Sequence, residues 1–244
     1  SSFTERERPF MNPSGRKTSR KKRREMNCEK YKGLIDKKLD GEISAEAENI
    51  FALDLLRRML EMGAEGASFE PIVAVGPNSA EPHHRPGNTT ILGPGPLKID
   101  MGARYEGYCS DLTRTVYLGQ PDETFRAVYP VVYEAQMRAI EAIRAGVHAK
   151  YADSVARRVI EEAGLGDKFT HGLGHGVGLE VHEAPALGPR AEHVLEEGNV
   201  VTVEPGVYIQ GWGGVRIEDL VLVTEDGVEV LTDAPKLNPE SLVE

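Results

Sequence analysis

The chain of 244 residues has little cysteine and tryptophan and contains no long apolar run. Its two cysteines, Cys28 and Cys109, exclude a disulfide-rich scaffold and favour a reducing compartment. No apolar segment approaches the ~20 residues that a membrane-spanning helix needs. The first residues also lack the apolar stretch of a secretory signal. We therefore expect a cytoplasmic protein with no membrane partner.

The first 30 residues differ in charge from the rest of the chain. They contain ten Lys or Arg and four Glu, a net charge of +6, whereas the whole chain carries −10. The remaining residues therefore sum to −16, and such an acidic body repels the phosphates of nucleic acid. The basic run at 16–24 could form a nucleic-acid or membrane patch, but a solvated tail that leads into a helix is the simpler interpretation. We do not expect nucleic acid as a partner.

Two similar series of elements follow one another along the chain. Residues 1–15 contain turn formers without periodicity and predict an irregular tail. Apolar periodicity predicts helices over 17–39, 44–63 (capped by Ser44), 122–145 and 151–163. Strand-like segments follow the first two helices at 71–75, 96–101 and 113–118, and the last two at 177–181, 199–208, 215–223 and 228–231. The repeated order predicts one α+β domain over 16–244, in which two helix pairs cover one face of a curved antiparallel sheet.

Four acidic residues stand at the ends of apolar strand-like segments, in two matched pairs. Asp100 and Asp111 flank one turn, and Glu204 and Glu218 flank a second turn that is rich in glycine. If each pair spans a hairpin, its carboxylates face each other with Cβ atoms ~5 Å apart, to within about a residue for Asp100 and Asp111. Facing carboxylates repel unless a cation or a shared proton compensates. The two pairs therefore predict a cation site.

Segment 170–185 offers the nitrogen ligand that such a site lacks. It contains His171, His175 and His182 among alternating glycines. These glycines do not form the Gly-x-Gly-x-x-Gly motif between a strand and a helix, and the chain has no Walker A sequence, so nucleotide binding is not predicted. His83 and His84 lie in a loop of the first half, where a surface position is the simpler interpretation for His84.

Four carboxylates with one imidazole form an oxygen-rich donor set. Such a set suits two divalent ions such as Mn²⁺, Co²⁺ or Fe²⁺ better than a structural Zn²⁺, which favours Cys and His. Two ions ~3.5–4 Å apart can hold a hydroxide at neutral pH and polarise a carbonyl group. The residues alone therefore predict a two-metal hydrolase of unspecified substrate.

Four motifs between about residues 20 and 235 resemble the pita-bread metallopeptidases, which include methionine aminopeptidases, Xaa-Pro aminopeptidases and prolidases. The motifs are IDMGARYEGYCSDLTRT, HGLGHGVGLEVHEAP, VTVEPGVYI and GGVRIEDLVLVTEDG. The resemblance implies the pseudo-symmetric pita-bread fold. It also implies that Asp111 and Glu218 bridge two metal ions, that Asp100 holds one ion, and that His175 and Glu204 hold the other.

The resemblance assigns further roles position by position. His83 matches a histidine that faces the substrate, and His182 matches one that hydrogen-bonds the scissile carbonyl or the tetrahedral intermediate. Glu204 matches the residue that shuttles a proton to the leaving nitrogen, so these three are the expected catalytic residues. His171 and Arg216 are the expected substrate-binding residues. His171 matches a pocket histidine, and Arg216 an arginine that orients a substrate carboxylate or braces a bridging ligand.

The segments VEPGVYI and GGVRIED resemble the proline-specific branch of this family. We therefore expect hydrolysis of Xaa-Pro bonds, of the prolidase or Xaa-Pro aminopeptidase type, by a hydroxide that bridges two metal ions. Mn or Co is favoured over Fe or Zn, and a homodimer is one assembly consistent with this branch. The alternatives are a methionine aminopeptidase, which is a bare catalytic domain of this size, and an inactive relative that binds peptides or nucleic acid.

Overall fold

The computed structural model describes residues 47–242. The helices within this range are α1 (Glu48–Glu61), α2 (Glu123–Ala142) and α3 (Ala149–Glu162). The predicted tail at 1–15, the domain boundary at residue 16, the helix over 17–39 and the cap Ser44 lie outside the described residues. The second predicted helix begins at Glu48, after Ala47, and thus later than a cap at Ser44 predicts. None of these helices is both long and apolar enough to cross a bilayer.

Strands follow the helices in both halves of the described chain. Those of the first half are β1 (Gly66–Ala67), β2 (Ile72–Val75), β3 (Gly95–Met101), β4 (Ala103–Tyr105), β5 (Tyr108–Cys109) and β6 (Leu112–Leu118). Those of the second half are β7 (Gly174–Gly176), β8 (Glu183–Leu187), β9 (Val200–Val203), β10 (Gly206–Ile209), β11 (Gly213–Arg216), β12 (Asp219–Val223) and β13 (Val228–Val230). The order of helices followed by strands agrees with the predicted order.

The strand ladders are antiparallel throughout the described residues. In the first half they run in the orders β2-β3-β6 and β1-β4-β5. In the second half they run in the orders β8-β7-β9-β12-β13 and β10-β11. Backbone and side-chain hydrogen bonds join the halves: Glu218 N–H donates to Thr113 O (3.1 Å), and Arg216 N–H donates to Thr115 Oγ1 (3.1 Å).

The two long helices cover the strands of the second half. Asp122 accepts the N–H of Phe125 and so caps the start of α2. The buried face of α2 includes Phe125, Val132 and Ala139, which recur at the spacing of helical turns. Together with the buried face of α3 and the inner faces of β9 to β12, these side chains form the main apolar core.

A two-residue turn sets the register of the first predicted acid pair. Glu106 and Gly107 both have positive φ (+51° and +82°), as a tight hairpin turn between β4 and β5 requires. The resulting register pairs Asp100 with Thr113, and it places Asp111 one diagonal step away on the same face. The expectation that Asp100 and Asp111 lie opposite each other to within about a residue is therefore wrong.

The second acid pair has the predicted register. Val203 pairs with Asp219 in the β9–β12 ladder, and Gly206 pairs with Arg216 in the β10–β11 ladder. These two pairings place Glu204 opposite Glu218 in the gap between the ladders. The predicted continuous strands over 199–208 and 215–223 are thus each interrupted at an acid, and Pro205, which lacks a backbone N–H, marks the first interruption.

The predicted strand over 177–181 is wrong. β7 ends at Gly176, and Gly178 N–H then donates to Glu180 O in a turn. The alternation of Val177, Leu179 and Val181 suggested one buried strand face, but Leu179 is 63% exposed. Val177 N–H still donates to Val200 O (3.0 Å), but the backbone turns at the next residue, so the rest of the segment does not extend the strand.

The core predicts a large difference between two leucine truncations. Leu195 is fully buried in the main core, so Leu195→Ala should lower the free energy of unfolding by about 2–5 kcal/mol. Leu179→Ala removes the same atoms from an exposed site and should change it by less than about 0.5 kcal/mol. Urea unfolding followed by circular dichroism measures both, and equal losses would contradict the assignment of the core.

Candidate functional site

One cavity of about 310 Å³ is lined by all nine residues that the sequence predicts for the site. They are His83, Asp100, Asp111, His171, His175, His182, Glu204, Arg216 and Glu218. Phe69, Ile72 and Pro82 add apolar surface to the wall. The two halves of the described chain both contribute, because the cavity lies where β3 and β6 meet β7, β9 and β11.

Three of the five predicted metal ligands form a compact group. One ligand atom each of Asp111, His175 and Glu218 lies within 4.8 Å of the other two. His175 Nε2 also lies 3.3 Å from Glu204 Oε1 and 3.7 Å from Asp111 Oδ2. The structure thus places Glu204 beside the group through His175, whereas Asp100 lies against Arg216.

The guanidinium of Arg216 donates hydrogen bonds to groups inside the protein through all three of its nitrogens. Its Nε donates to Thr113 Oγ1 (3.0 Å), and its Nη1 donates to Pro82 O and to Tyr208 OH (both 3.0 Å). Its Nη2 donates to Asp100 Oδ2 at 2.5 Å. The guanidinium is only 3% exposed. This geometry favours the bracing of Asp100 over the capture of a substrate carboxylate, the two roles that the sequence left open.

Tyr208 connects Arg216 to His171. Since the Tyr208 hydroxyl accepts from Arg216, its own hydrogen donates to His171 Nε2 (2.8 Å). The Nδ1–H of His171 then donates to Gly172 O (2.7 Å). Burial lowers the pKa of His171 below its ordinary value, which agrees with this neutral tautomer. Both ring nitrogens are engaged, so His171 offers its ring carbons to the cavity.

Three residues that support the site, Thr113, Thr202 and Tyr208, are not among those predicted from the sequence. Thr113 Oγ1–H donates to Glu218 Oε2 (2.7 Å), and Thr202 Oγ1–H donates to Glu204 Oε1 (3.2 Å). The signal for the two threonines is their spacing, because each stands two positions from a predicted ligand on the same strand face. The hydroxyl of Tyr208 has no comparable signal in the sequence.

His84 differs from the expectation of a surface position. Its Nε2 lies 2.9 Å from Glu48 Oε2 and its Nδ1 lies 3.1 Å from Glu81 Oε2. Glu48 is completely buried and also accepts the backbone N–H of Val75 (2.8 Å). His84 therefore anchors its loop, and the exposed His83 beside it lines the cavity.

The carboxylates raise one another's pKa values. Burial, followed by the charges of Asp100 and Glu204, raises the pKa of Asp111 to about 8. Burial and the charge of Asp111 raise the pKa of Glu218 well above its ordinary value. Burial also raises the pKa of Asp100, although Arg216 opposes this. For Glu204, burial acts in the same direction, but the hydrogen bond to His175 and the charge of Arg216 outweigh it and lower the pKa.

This donor set fits divalent metal ions. The carboxylates are crowded and buried, so a cation relieves the repulsion that raises their pKa values. Asp100 Oδ1 is buried and has no hydrogen-bond partner, which is costly unless a ligand or cation satisfies it. Oxygen donors with one imidazole suit ions such as Mn²⁺ and Co²⁺.

The raised pKa of Asp111 predicts how pH changes the stability of the metal-free chain. Because the folded chain keeps this proton up to about pH 8 while the unfolded chain loses it near 3.8, ionisation opposes folding. The stability that is present below this range is therefore lost as pH rises through it, by about 1.4 kcal/mol per pH unit for this one proton. Asp111→Asn should flatten the slope in urea unfolding with EDTA, whereas the exposed control Asp226→Asn should keep it. An equally steep slope in both variants would contradict this prediction.

Comparison with known proteins identifies relatives over most of the chain. Residues 26–225 match the model of metallopeptidase family M24. A Xaa-Pro dipeptidase of Pyrococcus furiosus is 46% identical over 199 residues, which are 82% of this chain and 55% of that protein. The solved prolidase of Pyrococcus furiosus has a TM-score of 0.81 and 44% identity, over 86% of this chain and 62% of its own.

A solved X-Pro aminopeptidase of Thermotoga maritima gives a similar result. Its TM-score is 0.78 at 44% identity, over 82% of this chain and 56% of its own. The chain thus spans between 55% and 62% of the length of these three relatives. The likeness in structure confirms the predicted α+β pita-bread fold, and the family implies divalent metal ions. Because the family model matches most of its length, the chain belongs to metallopeptidase family M24.

Proposed function

We propose that the chain is the catalytic part of a peptidase that hydrolyses Xaa-Pro bonds with two divalent metal ions. The observation that carries this proposal is the meeting of four carboxylates and His175 in one cavity. The relatives compared above, which are named Xaa-Pro dipeptidase, prolidase and X-Pro aminopeptidase, support cleavage beside proline.

In this proposal five residues hold the ions. Asp111, Glu218 and His175, which form the compact group, would hold the ions. Asp100 would add its unpaired Oδ1, and Glu204, which lies beside His175, would add its carboxylate. Mn²⁺ or Co²⁺ suits the oxygen-rich set. When bound, such ions activate water and polarise a carbonyl group.

The side chains around the ligands supply proton transfer and orientation. The lowered pKa of Glu204 keeps this group ionised near neutral pH, so it can accept a proton from water and deliver it to the leaving nitrogen. The ring of His182 lies 4.3 Å from that of His175. Burial lowers the pKa of His182, so the neutral ring donates one N–H to the scissile carbonyl. His83, exposed at the cavity, contacts the substrate from the other half of the chain.

The wall of the cavity suits a proline ring. The carbons of His171, whose nitrogens are engaged elsewhere, face the cavity together with Phe69 and Ile72. Such apolar surface stabilises a pyrrolidine ring by excluding water. A methionine aminopeptidase would instead need room for an extended thioether side chain.

The proposed activity predicts metal-dependent cleavage of proline substrates. After EDTA treatment, Mn²⁺ or Co²⁺ should restore hydrolysis of Ala-Pro, Gly-Pro or Ala-Pro-Ala, measured as released amino acid by chromatography. Preference for the dipeptides indicates a prolidase, and preference for the tripeptide indicates an Xaa-Pro aminopeptidase. Faster cleavage of Met-Ala-Ser would favour the methionine aminopeptidase alternative.

Matched variants separate the proposed site from contamination by another peptidase. Asp111→Asn should reduce kcat/KM at least about 1000-fold, since it removes a shared ligand. Asp226→Asn changes an exposed acid of the same type and should retain full activity. Full activity of Asp111→Asn, or no cleavage by a folded chain with any metal, would refute the proposal. Sedimentation velocity on the same sample measures whether the active species is a homodimer.

If Arg216 braces Asp100, substitution of Arg216 should lower the activity on all Xaa-Pro substrates, with or without a free carboxylate. Arg216→Lys loses the planar fork that reaches Asp100 and Tyr208. We expect the same loss of kcat/KM, about 100-fold, on Ala-Pro and on Ala-Pro-amide, which lacks the free carboxylate. A loss confined to Ala-Pro would instead assign Arg216 to the substrate carboxylate.

A further inference from the structure

A buried lysine lies next to the site and has no part in the mechanism above. Lys98 stands in β3, its side chain is completely buried, and its ammonium lies 5.2 Å from the ring centre of Tyr208. Its Nζ donates to the backbone carbonyls of Ser79 (3.1 Å), Glu81 (2.6 Å) and Pro82 (3.4 Å). The three acceptors match the three N–H donors of an ammonium group.

These carbonyls belong to the segment that leads into His83. Ser79 Oγ accepts the N–H of Gly214 in β11 (2.8 Å). The backbones of Ser79 and Gly214 lie so close together that a Cβ on Gly214 would lie 2.3 Å from Ser79 O. The carbonyl of Pro82 accepts a second hydrogen bond from Arg216 Nη1 (3.0 Å). The backbone immediately before His83 is therefore held from both halves of the fold.

The backbone immediately after His83 is held as well. The ring of His84 lies between Glu48 and Glu81, at 2.9 and 3.1 Å. His83 itself is exposed, and no side-chain contact fixes it in the described structure beyond its position on the cavity wall. The position of its imidazole is consequently set by these backbone anchors.

Lys98 can anchor the segment in either protonation state, with three N–H donors as the ammonium and two as the neutral amine. Burial, followed by the charge of Arg216, lowers the pKa of Lys98 to about 6, whereas the carbonyl acceptors favour the ammonium form. Both the ammonium and the neutral amine donate N–H groups to carbonyl oxygens. An apolar side chain of similar length would remove this donor from all three carbonyls, of which Ser79 O lies in buried surroundings and loses the most.

We propose that Lys98 is a positioning residue that holds the Ser79, Glu81 and Pro82 carbonyls and thereby places His83 at the substrate side of the cavity. This proposal rests on the proposed peptidase function, because His83 has its role there. It adds a residue to the site that touches neither the substrate nor the metal ions.

The test compares Lys98→Met with His83→Ala and with the double variant in the metal-loaded 244-residue chain. Lys98→Met should lower kcat/KM on the preferred Xaa-Pro substrate by about 10- to 100-fold. In the His83→Ala background the same change should lower kcat/KM by less than about threefold, because the effects of residues that act as a unit are not additive. Lys150→Met, at an exposed position of α3, is the control and should retain full activity.

Hydrogen–deuterium exchange supplies a measurement that does not need catalysis. Lys98→Met should increase exchange in peptides that cover 76–87 and leave peptides that cover 170–183 and 200–223 unchanged. Lys98→Gln, which keeps two N–H donors, should give a smaller increase and recover part of the activity. If Lys98→Met does not fold, the same comparisons are made with Lys98→Gln.

Three results would overturn the role of Lys98. They are a loss in the His83→Ala background as large as in the wild-type background, unchanged exchange over 76–87, and increased exchange spread through 200–223, which would indicate general destabilisation. A wild-type chain without peptidase activity would refute the proposed function separately. In that case the exchange data would still decide whether Lys98 holds the segment.

Discussion

The concentration of negative charge in a buried cavity is the constraint on which the rest of this structure depends. Four carboxylates withdrawn from water repel one another, and the raised pKa values of Asp111 and Glu218 express that repulsion. The fold offsets part of it with Arg216 and with the hydroxyls of Thr113 and Thr202. The negative charge that is not offset is available to bind cations. The fold therefore holds the carboxylates together in an arrangement that is unfavourable without cations.

The register of the strands determines where the four carboxylates lie relative to one another. A tight turn at Gly107 places Asp111 one diagonal step from Asp100. The β10–β11 register places Glu204 opposite Glu218. A shift of one residue in either hairpin would turn its carboxylates to the other face of the sheet. The positions of the charges therefore depend on turns whose residues never enter the cavity.

The residues that line the cavity could be predicted from sequence because the acidic ones stand at the ends of recognisable strands, in motifs with characteristic spacing. The order of helices and strands was equally visible, since helical and strand periods differ. The diagonal register of Asp100, the turn at 177–181 and the anchoring of His84 were not predictable. The register depends on the φ angles of one turn, the turn at 177–181 on which glycines pair with neighbouring strands, and the position of His84 on Glu48, which is distant in the sequence. None of these leaves a local sequence pattern. Lys98 is the extreme case, because its partners are carbonyl groups, and every residue type carries one.

The hydrogen bonds that Thr113 and Thr115 form with Arg216 and Glu218 cross from one half of the fold to the other. Neither half can satisfy these strand edges alone, and neither carries all five of the predicted metal ligands. If the chain were divided between β6 and α2, the two fragments would be expected to recover the cavity only by complementation. The internal pseudo-symmetry thus does not make the halves independent modules, because the side chains that line the cavity are divided between them.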